Sequence, residues 1–151
     1  MVMIMMEILP HKRNLLQKSL NCPLLNMSVL SGSSCRCPIA VAMFGYMTEI
    51  DKVEILMSQD IEAEGDDMLS LLFHYLDEFL YVFSAEPYFI ARKVKILHFD
   101  KQNLKIKARG YGEIFDLDKH PQGSEVKAIT YSNMQVHENE DKCELFVIVD
   151  V

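Results

Sequence analysis

The sequence predicts an α/β fold, a single compact domain in which β-sheets pack around helices. Three observations predict it. Leu69, Leu72, Phe73, Leu76, Phe79, Leu80 and Phe83 recur at spacings of three and four, the period of an amphipathic helix spanning about Asp66 to Ser84. Stretches of period 2, or rich in β-branched residues, lie on both sides of that helix. The chain has 151 residues, enough to enclose one core and too few for two.

The elements follow in order. Residues 1–38 differ from the rest and read as an atypical, poorly ordered N-terminal segment. They carry Pro10, Pro23, Pro38 and the polar run Ser31-Gly32-Ser33-Ser34, with one short helix marked by Leu15, Leu16, Leu20 and Leu24. The domain proper occupies 39–151. Ile39–Met47 is a short apolar helix ended by Thr48. Ser58–Glu64 alternates as a strand, Gly65 turns the chain, and Asp66 and Asp67 suit the positive end of the long helix. Phe89–Phe99 is a strand, Asp100–Asn103 a turn, and Leu104, Ile106 and Ala108 continue opposite Lys105, Lys107 and Arg109. Gly110-Tyr111-Gly112 marks a bulge or a close backbone approach. A loop over Asp116–Ser124 leads to strands at Val126–Ser132 and Met134–His137, with Asn133 at the kink between them. Glu138–Lys142 is a charged turn, and Leu145–Val149 reads as a central strand buried on both faces.

Composition excludes several classes. The chain is 50% hydrophobic and 25% charged, an ordinary globular balance. No apolar stretch approaches the roughly 20 residues of a membrane-spanning helix. Glu7 interrupts the first apolar stretch and His11-Lys12-Arg13 follow it, so the start does not read as a signal peptide, and a cytoplasmic and nuclear location is expected. Net charge is −7, unevenly placed: residues 1–40 hold four basic residues against Glu7, and the remainder 11 against 21 acidic. An acidic body repels a phosphate backbone and attracts cations or basic surfaces. The cluster Lys93, Lys95, Lys101, Lys105, Lys107 and Arg109 reads as the solvated face of a hairpin. Cys22, Cys35, Cys37 and Cys143 lack paired CxxC spacing, which argues against zinc. There is no G-x-S-x-G, P-loop or dinucleotide fingerprint, and His74 on the long helix reads as structural. A hydrolase built on Asp66, Asp67 or His120 finds no nucleophile–base pair, so no enzyme is expected and no catalytic residue is assigned.

Two features stand out. The loop Lys119-His120-Pro121-Gln122-Gly123-Ser124-Glu125, followed at once by Val126-Lys127, projects a shaped polar surface from a sheet. The apolar run Leu145–Val149 delivers the Asp150 carboxylate and Val151 to one spot, an arrangement of oxygens that suits hard cations such as Ca²⁺ or Mg²⁺.

A family resemblance joins these features. Ala42–Met47, Gly65-Asp66-Asp67, Ser70–Glu78, Phe83-Ser84-Ala85, Lys119–Gly123, Glu125–Tyr131 and Phe146–Val151 together resemble archease, over approximately Val41 to Val151. The resemblance implies an archease-like fold and a small metal-binding accessory protein of an RtcB-type RNA ligase complex, which promotes guanylylation and multiple turnover of the ligase in tRNA splicing. It implies tRNA contact only through the ligase, and no membrane. It matches Asp150 and Val151 to metal-ligand positions, with Ca²⁺ the expected ion and Mn²⁺ or Mg²⁺ as substitutes. It matches Lys119, His120, Gln122, Glu125 and Lys127 to a partner surface. Archeases open with a strand carrying Asp-His-Thr-Ala-Asp, whereas the first aspartate here is Asp51. The N-terminal strand is therefore expected to be missing and cation binding impaired. The alternative is a protein–protein adaptor in the ligase complex without metal dependence.

Overall fold

A computed structural model describes residues 2–8, 36–138 and 143–151, with side chains over 39–138 and 144–151. The elements are β1 (Val2–Ile8), α1 (Arg36–Met47), a 3₁₀ turn (Ile50–Lys52), β2 (Met57–Glu64), α2 (Met68–Ser84), β3 (Phe89–Asp100), β4 (Lys105–Ile114), β5 (Ala128–Glu138) and β6 (Cys143–Asp150). They form two three-stranded antiparallel sheets, ordered β1-β6-β5 and β2-β4-β3. Helix α1 packs against β3 and β1, and α2 against β2 and β5, so each helix touches both sheets. This is the expected α/β arrangement of sheets around helices.

The first strand corrects one expectation. The position beside the last strand is filled, because Val2–Ile8 pairs with β6 from Val2↔Val149 to Ile8↔Cys143. A run in which nearly every position is apolar conceals its period of 2, which is why the strand escapes a pattern search. The short helix expected near Leu15–Leu24, the remainder of the N-terminal segment and the turn at 139–142 lie outside the described residues.

Two further differences concern the first sheet. β6 is central, but Leu145, Val147 and Val149 are fully buried while Phe146 and Ile148 are half-buried, so one face of the strand meets the core and not both. The two strands expected on either side of Asn133 are one strand, β5. Its pairing with β6 slips between Thr130 and Gln135, and Asn133 takes a φ of 51° at the irregularity.

Helix α2 begins where the acidic pair ends. Asp67 Oδ1 accepts the Ser70 N–H at 2.7 Å and Ser70 Oγ accepts the Asp67 N–H at 3.0 Å, a reciprocal cap worth about 1 kcal/mol. Leu71, Leu72, Tyr75, Leu76, Phe79 and Leu80 form its buried face, while Leu69 is exposed. Each fully buried side chain of this size contributes about 1.5–3 kcal/mol. Phe44 of α1 meets Phe79 edge to face at 6.1 Å, joining the two helices in the core.

The basic column of β4 meets the alternation of β2 across the outer face of the second sheet. Lys105 pairs with Glu64, Lys107 with Glu62, and Arg109 holds Asp60 through two nitrogens at 2.5 and 2.9 Å. Exposed pairs of this kind contribute little to stability, but a one-residue slip would lose all three, so they favour one register. The hairpin face is solvated as expected, and most of its positive charge is already matched.

At Gly112 the backbones of β3 and β4 approach so closely that an added Cβ would collide with the Ile90 carbonyl oxygen. Backbone cannot yield as a flexible side chain does. Gly112→Ala should lower the unfolding free energy by about 2 kcal/mol or more, seen as a reduced midpoint in urea unfolding.

Candidate functional site

The polar loop between β4 and β5 is built on a buried carboxylate. Glu113 is only 6% exposed. Its Oε1 accepts the Glu54 backbone N–H at 2.6 Å and Lys119 Nζ at 2.9 Å, and its Oε2 accepts Lys119 Nζ at 2.7 Å. His120, fully buried, completes the set with Nε2 at 3.0 Å from Glu113 Oε1. The Asp116 N–H donates to His120 Nδ1 at 2.9 Å, which leaves the ring proton on Nε2 to be donated to Glu113. Both ring nitrogens are thus engaged. Phe115 stacks on it at 5.3 Å.

Burial alone would push the Glu113 carboxyl up. The Glu54 N–H, Lys119 and His120 outweigh it and hold the group at about 2, below its ordinary 4.5. Hydrogen bonds from Lys119 to Glu113 and Glu54 raise the lysine in turn.

The second half of the loop docks on the end of α1. Helix ends leave carbonyls without intrahelical donors. Here the Gly123 N–H donates to the Met47 carbonyl at 2.7 Å and the Ser124 N–H to the Tyr46 carbonyl at 3.2 Å. Thr48 Oγ1 donates to the Pro121 carbonyl at 2.7 Å, and Thr48 bridges to Gln122. A Cβ on Gly123 would stand 2.5 Å from the Tyr46 oxygen, so only glycine permits this approach.

From that platform the chain runs to the strand end. The Lys127 N–H donates to the Asp150 carbonyl at 2.8 Å, and Ala128 pairs with Asp150. Lys127, at the entry to β5, and Asp150, at the end of β6, are both exposed there, with Val151 half-buried after them. Gln122 and Glu125 are exposed on the connecting stretch. His120 requires correction as a surface residue, because it has no exposure, whereas Lys119 is exposed while its ammonium is tied to Glu113 and Glu54. Both hold the loop up, and His120 lies beneath its outer face.

Sequence reasoning missed Glu113, Glu54, Asp116 and Thr48. The one available signal was the outward column Lys105, Lys107, Arg109, Tyr111, which places Glu113 on the same side of β4. Nothing in the spacing shows that the next loop folds back over it.

The fit to a metal is partial. Asp150 offers the hard oxygen that a divalent cation prefers. Among the described residues, however, no group of three or more His, Cys, Asp or Glu side chains could hold an ion.

This corner is held from beneath by the buried Glu113 network and carries exposed charged side chains on its outer stretch. What it presents is a rigid face carrying charge, the layout of a binding or accessory protein. Comparison with known proteins gives that class its family. The model of the Archease protein family matches residues 31–151, reaching further back than Val41. The chain is 55% identical to Protein archease of Danio rerio over 112 residues, covering 74% of this chain and 68% of that one. It is 38% identical to Protein archease of Pyrococcus abyssi over 104 residues, 68% of this chain and 72% of the relative. The solution structure of Methanobacterium thermoautotrophicum protein 1598 superposes with a TM-score of 0.58 at 29% identity, covering 75% of this chain and 80% of that one. The chain belongs to the archease family, whose members are accessory proteins and not enzymes.

The buried carboxylate makes the site sensitive to acid. A group lowered from 4.5 to about 2 on folding contributes stability that is fully present above 4.5 and is lost as pH falls toward about 2. Thermal unfolding followed between those limits should show the parent protein losing more midpoint temperature than Glu113→Gln. Parallel curves for the two would remove the network from the stability of the loop.

Proposed function

We propose that this chain is a non-enzymatic accessory protein of an RtcB-type RNA ligase. In this reading it promotes guanylylation and multiple turnover of the ligase in tRNA splicing, acts in the cytoplasm and nucleus, and uses a divalent cation, Ca²⁺ first and Mn²⁺ or Mg²⁺ as substitutes. Membership of the archease family supports association with an RNA ligase. The observation that carries the site is the 2.8 Å hydrogen bond from the Lys127 N–H to the Asp150 carbonyl. It joins the buttressed loop to the end of β6 through the backbone, so that two exposed residues of opposite charge, Lys127 and Asp150, are carried on adjoining segments.

The roles of the residues follow from their chemistry. Lys127 offers positive charge to an anionic group such as a nucleotide phosphate at the ligase surface. Gln122 and Glu125 offer hydrogen-bonding groups along the same edge. Asp150 and Val151 offer oxygen donors. A divalent cation, when bound, supplies charge neutralisation and polarises a phosphoryl oxygen. Preorganisation is the loop's own contribution: a surface already held by Glu113, His120 and Thr48 loses little conformational freedom on docking. Contact with tRNA runs through the ligase, in keeping with a net charge of −7 and a basic column largely paired with β2.

A second reading has its own support. Ca²⁺ takes roughly six to eight oxygen ligands, and no three-donor group exists among the described residues. An adaptor that binds the ligase without metal dependence accords with that shortage.

Calorimetric titration with Ca²⁺ and Mn²⁺ separates the two. Heat that disappears in Asp150→Ala supports the cation reading, and no heat in the parent protein supports the adaptor. Multiple-turnover RNA ligation with purified ligase tests the function itself. Lys127→Ala should reduce stimulated guanylylation about tenfold, the scale of one charge-assisted contact. Ligation equally fast with and without this protein would refute the accessory role.

A further inference from the structure

Among the described residues nine large hydrophobic side chains are exposed, and five of them, Ile55, Leu56, Tyr88, Ile114 and Leu117, gather at one end of the β2-β4-β3 sheet, each 48–71% accessible. The backbone places them together. The Leu56 N–H donates to the Gly112 carbonyl at 2.9 Å, and the next residue, Met57, pairs with Gly112. Phe89 pairs with Ile114, and the Phe115 N–H donates to the Tyr88 carbonyl at 2.8 Å. Leu117 follows in the loop that Lys119 ties to Glu54 at 2.5 Å. Single exposed apolar residues need no explanation, but a group of five on a water-soluble face does.

The charge around the group is mostly acidic, with Arg92, bonded to the Val53 carbonyl at 3.0 Å, and Lys52, paired with Glu49, as the cations on the side of Glu54. Glu54, Glu86, Asp116 and Asp118 are exposed there, and the nearby Lys119 already serves two carboxylates. An apolar centre with an acidic rim has the anatomy of a protein-binding surface. Its complement carries aliphatic side chains between lysines and arginines. A ligase that handles RNA must itself present cationic surface. We infer that this end of the sheet docks a basic, aliphatic segment of the RNA ligase at the margin of its RNA-binding surface, separately from the Lys127 and Asp150 corner. The inference rests on the accessory-protein reading and supplies it with a second contact. It assigns the apolar patch to affinity and the acidic rim to steering and orientation.

The test uses the full chain and purified ligase, with affinity measured by calorimetry at two salt concentrations. Leu56→Asn with Leu117→Asn removes apolar contacts, and Glu86→Lys with Asp118→Lys reverses the rim. All four residues are exposed, so thermal unfolding midpoints should match the parent and exclude misfolding as a cause. Each pair should weaken ligase binding about tenfold or more, and the charge-reversed pair should also lose the salt dependence of the parent. Parental affinity in both pairs, while the parent itself binds, overturns the docking surface and leaves the accessory role intact. If light scattering shows a dimer of the parent that the leucine pair abolishes without affecting ligase binding, the patch joins two copies of this chain and the inference is wrong. Absence of ligase binding by the parent overturns the accessory reading and this inference together.

Discussion

The candidate site depends on a carboxylate that has been taken out of water. Glu113 is buried at the end of β4, and an unpaired charge there would be prohibitive. Each of its partners therefore becomes compulsory, and each partner comes from a different part of the loop or from the strand entry opposite. The Glu54 N–H anchors the approach to β2, Lys119 spans Glu54 and Glu113, and His120 ties the carboxylate to Asp116. A loop folded in any other way would leave at least one of these groups unsatisfied in the interior. Charge burial here selects one conformation, and the stability it yields is secondary.

That constraint explains why the candidate face follows the buttress in sequence. The chain must first satisfy Glu113, then supply donors to the last carbonyls of α1 through Gly123 and Ser124, and only afterwards is it released to run exposed from Glu125 to Lys127. By that point its position is set relative to both sheets and α1. The Lys127 N–H closes the path onto Asp150. A surface assembled from three elements is thus positioned almost without reference to the side chains that would touch a partner, which remain open to solvent and to substitution.

The legible and illegible parts of this molecule differ in physical kind. Helix α2 was readable because a period of 3.6 with acidic residues at its start has few alternatives, and β2 to β4 because charged and apolar residues alternate. β1 was not readable: Val2 to Met6 is apolar at every position, so the side facing the core cannot be told from the side facing away. Asp150 and Lys127 stood out as a strand end and as a loop–strand junction. His120, in the same polar loop, suggested a surface residue, because polarity in sequence says nothing about whether a buried acceptor awaits it. Glu113 sits at a position of β4 where the alternation itself calls for an exposed side chain. Its burial is a tertiary event, produced by a loop that arrives from several residues further along.

The first strand bears on the cation question. Its pairing covers the edge of β6 that would otherwise expose unpaired backbone groups, so the scaffold of the first sheet is intact. Backbone pairing is indifferent to side-chain charge, however, and an oxygen donor is not. The charged residue of β1, Glu7, pairs with Glu144, six positions along β6 from Asp150, while the pair nearest to Asp150 is Val2 with Val149. In an extended strand six residues span roughly 20 Å, far beyond shared coordination. The strand can therefore restore the fold without restoring a carboxylate beside Asp150. Fold and cation affinity are separable in this chain, and a partner that recognises the buttressed loop does not require the two to be kept together.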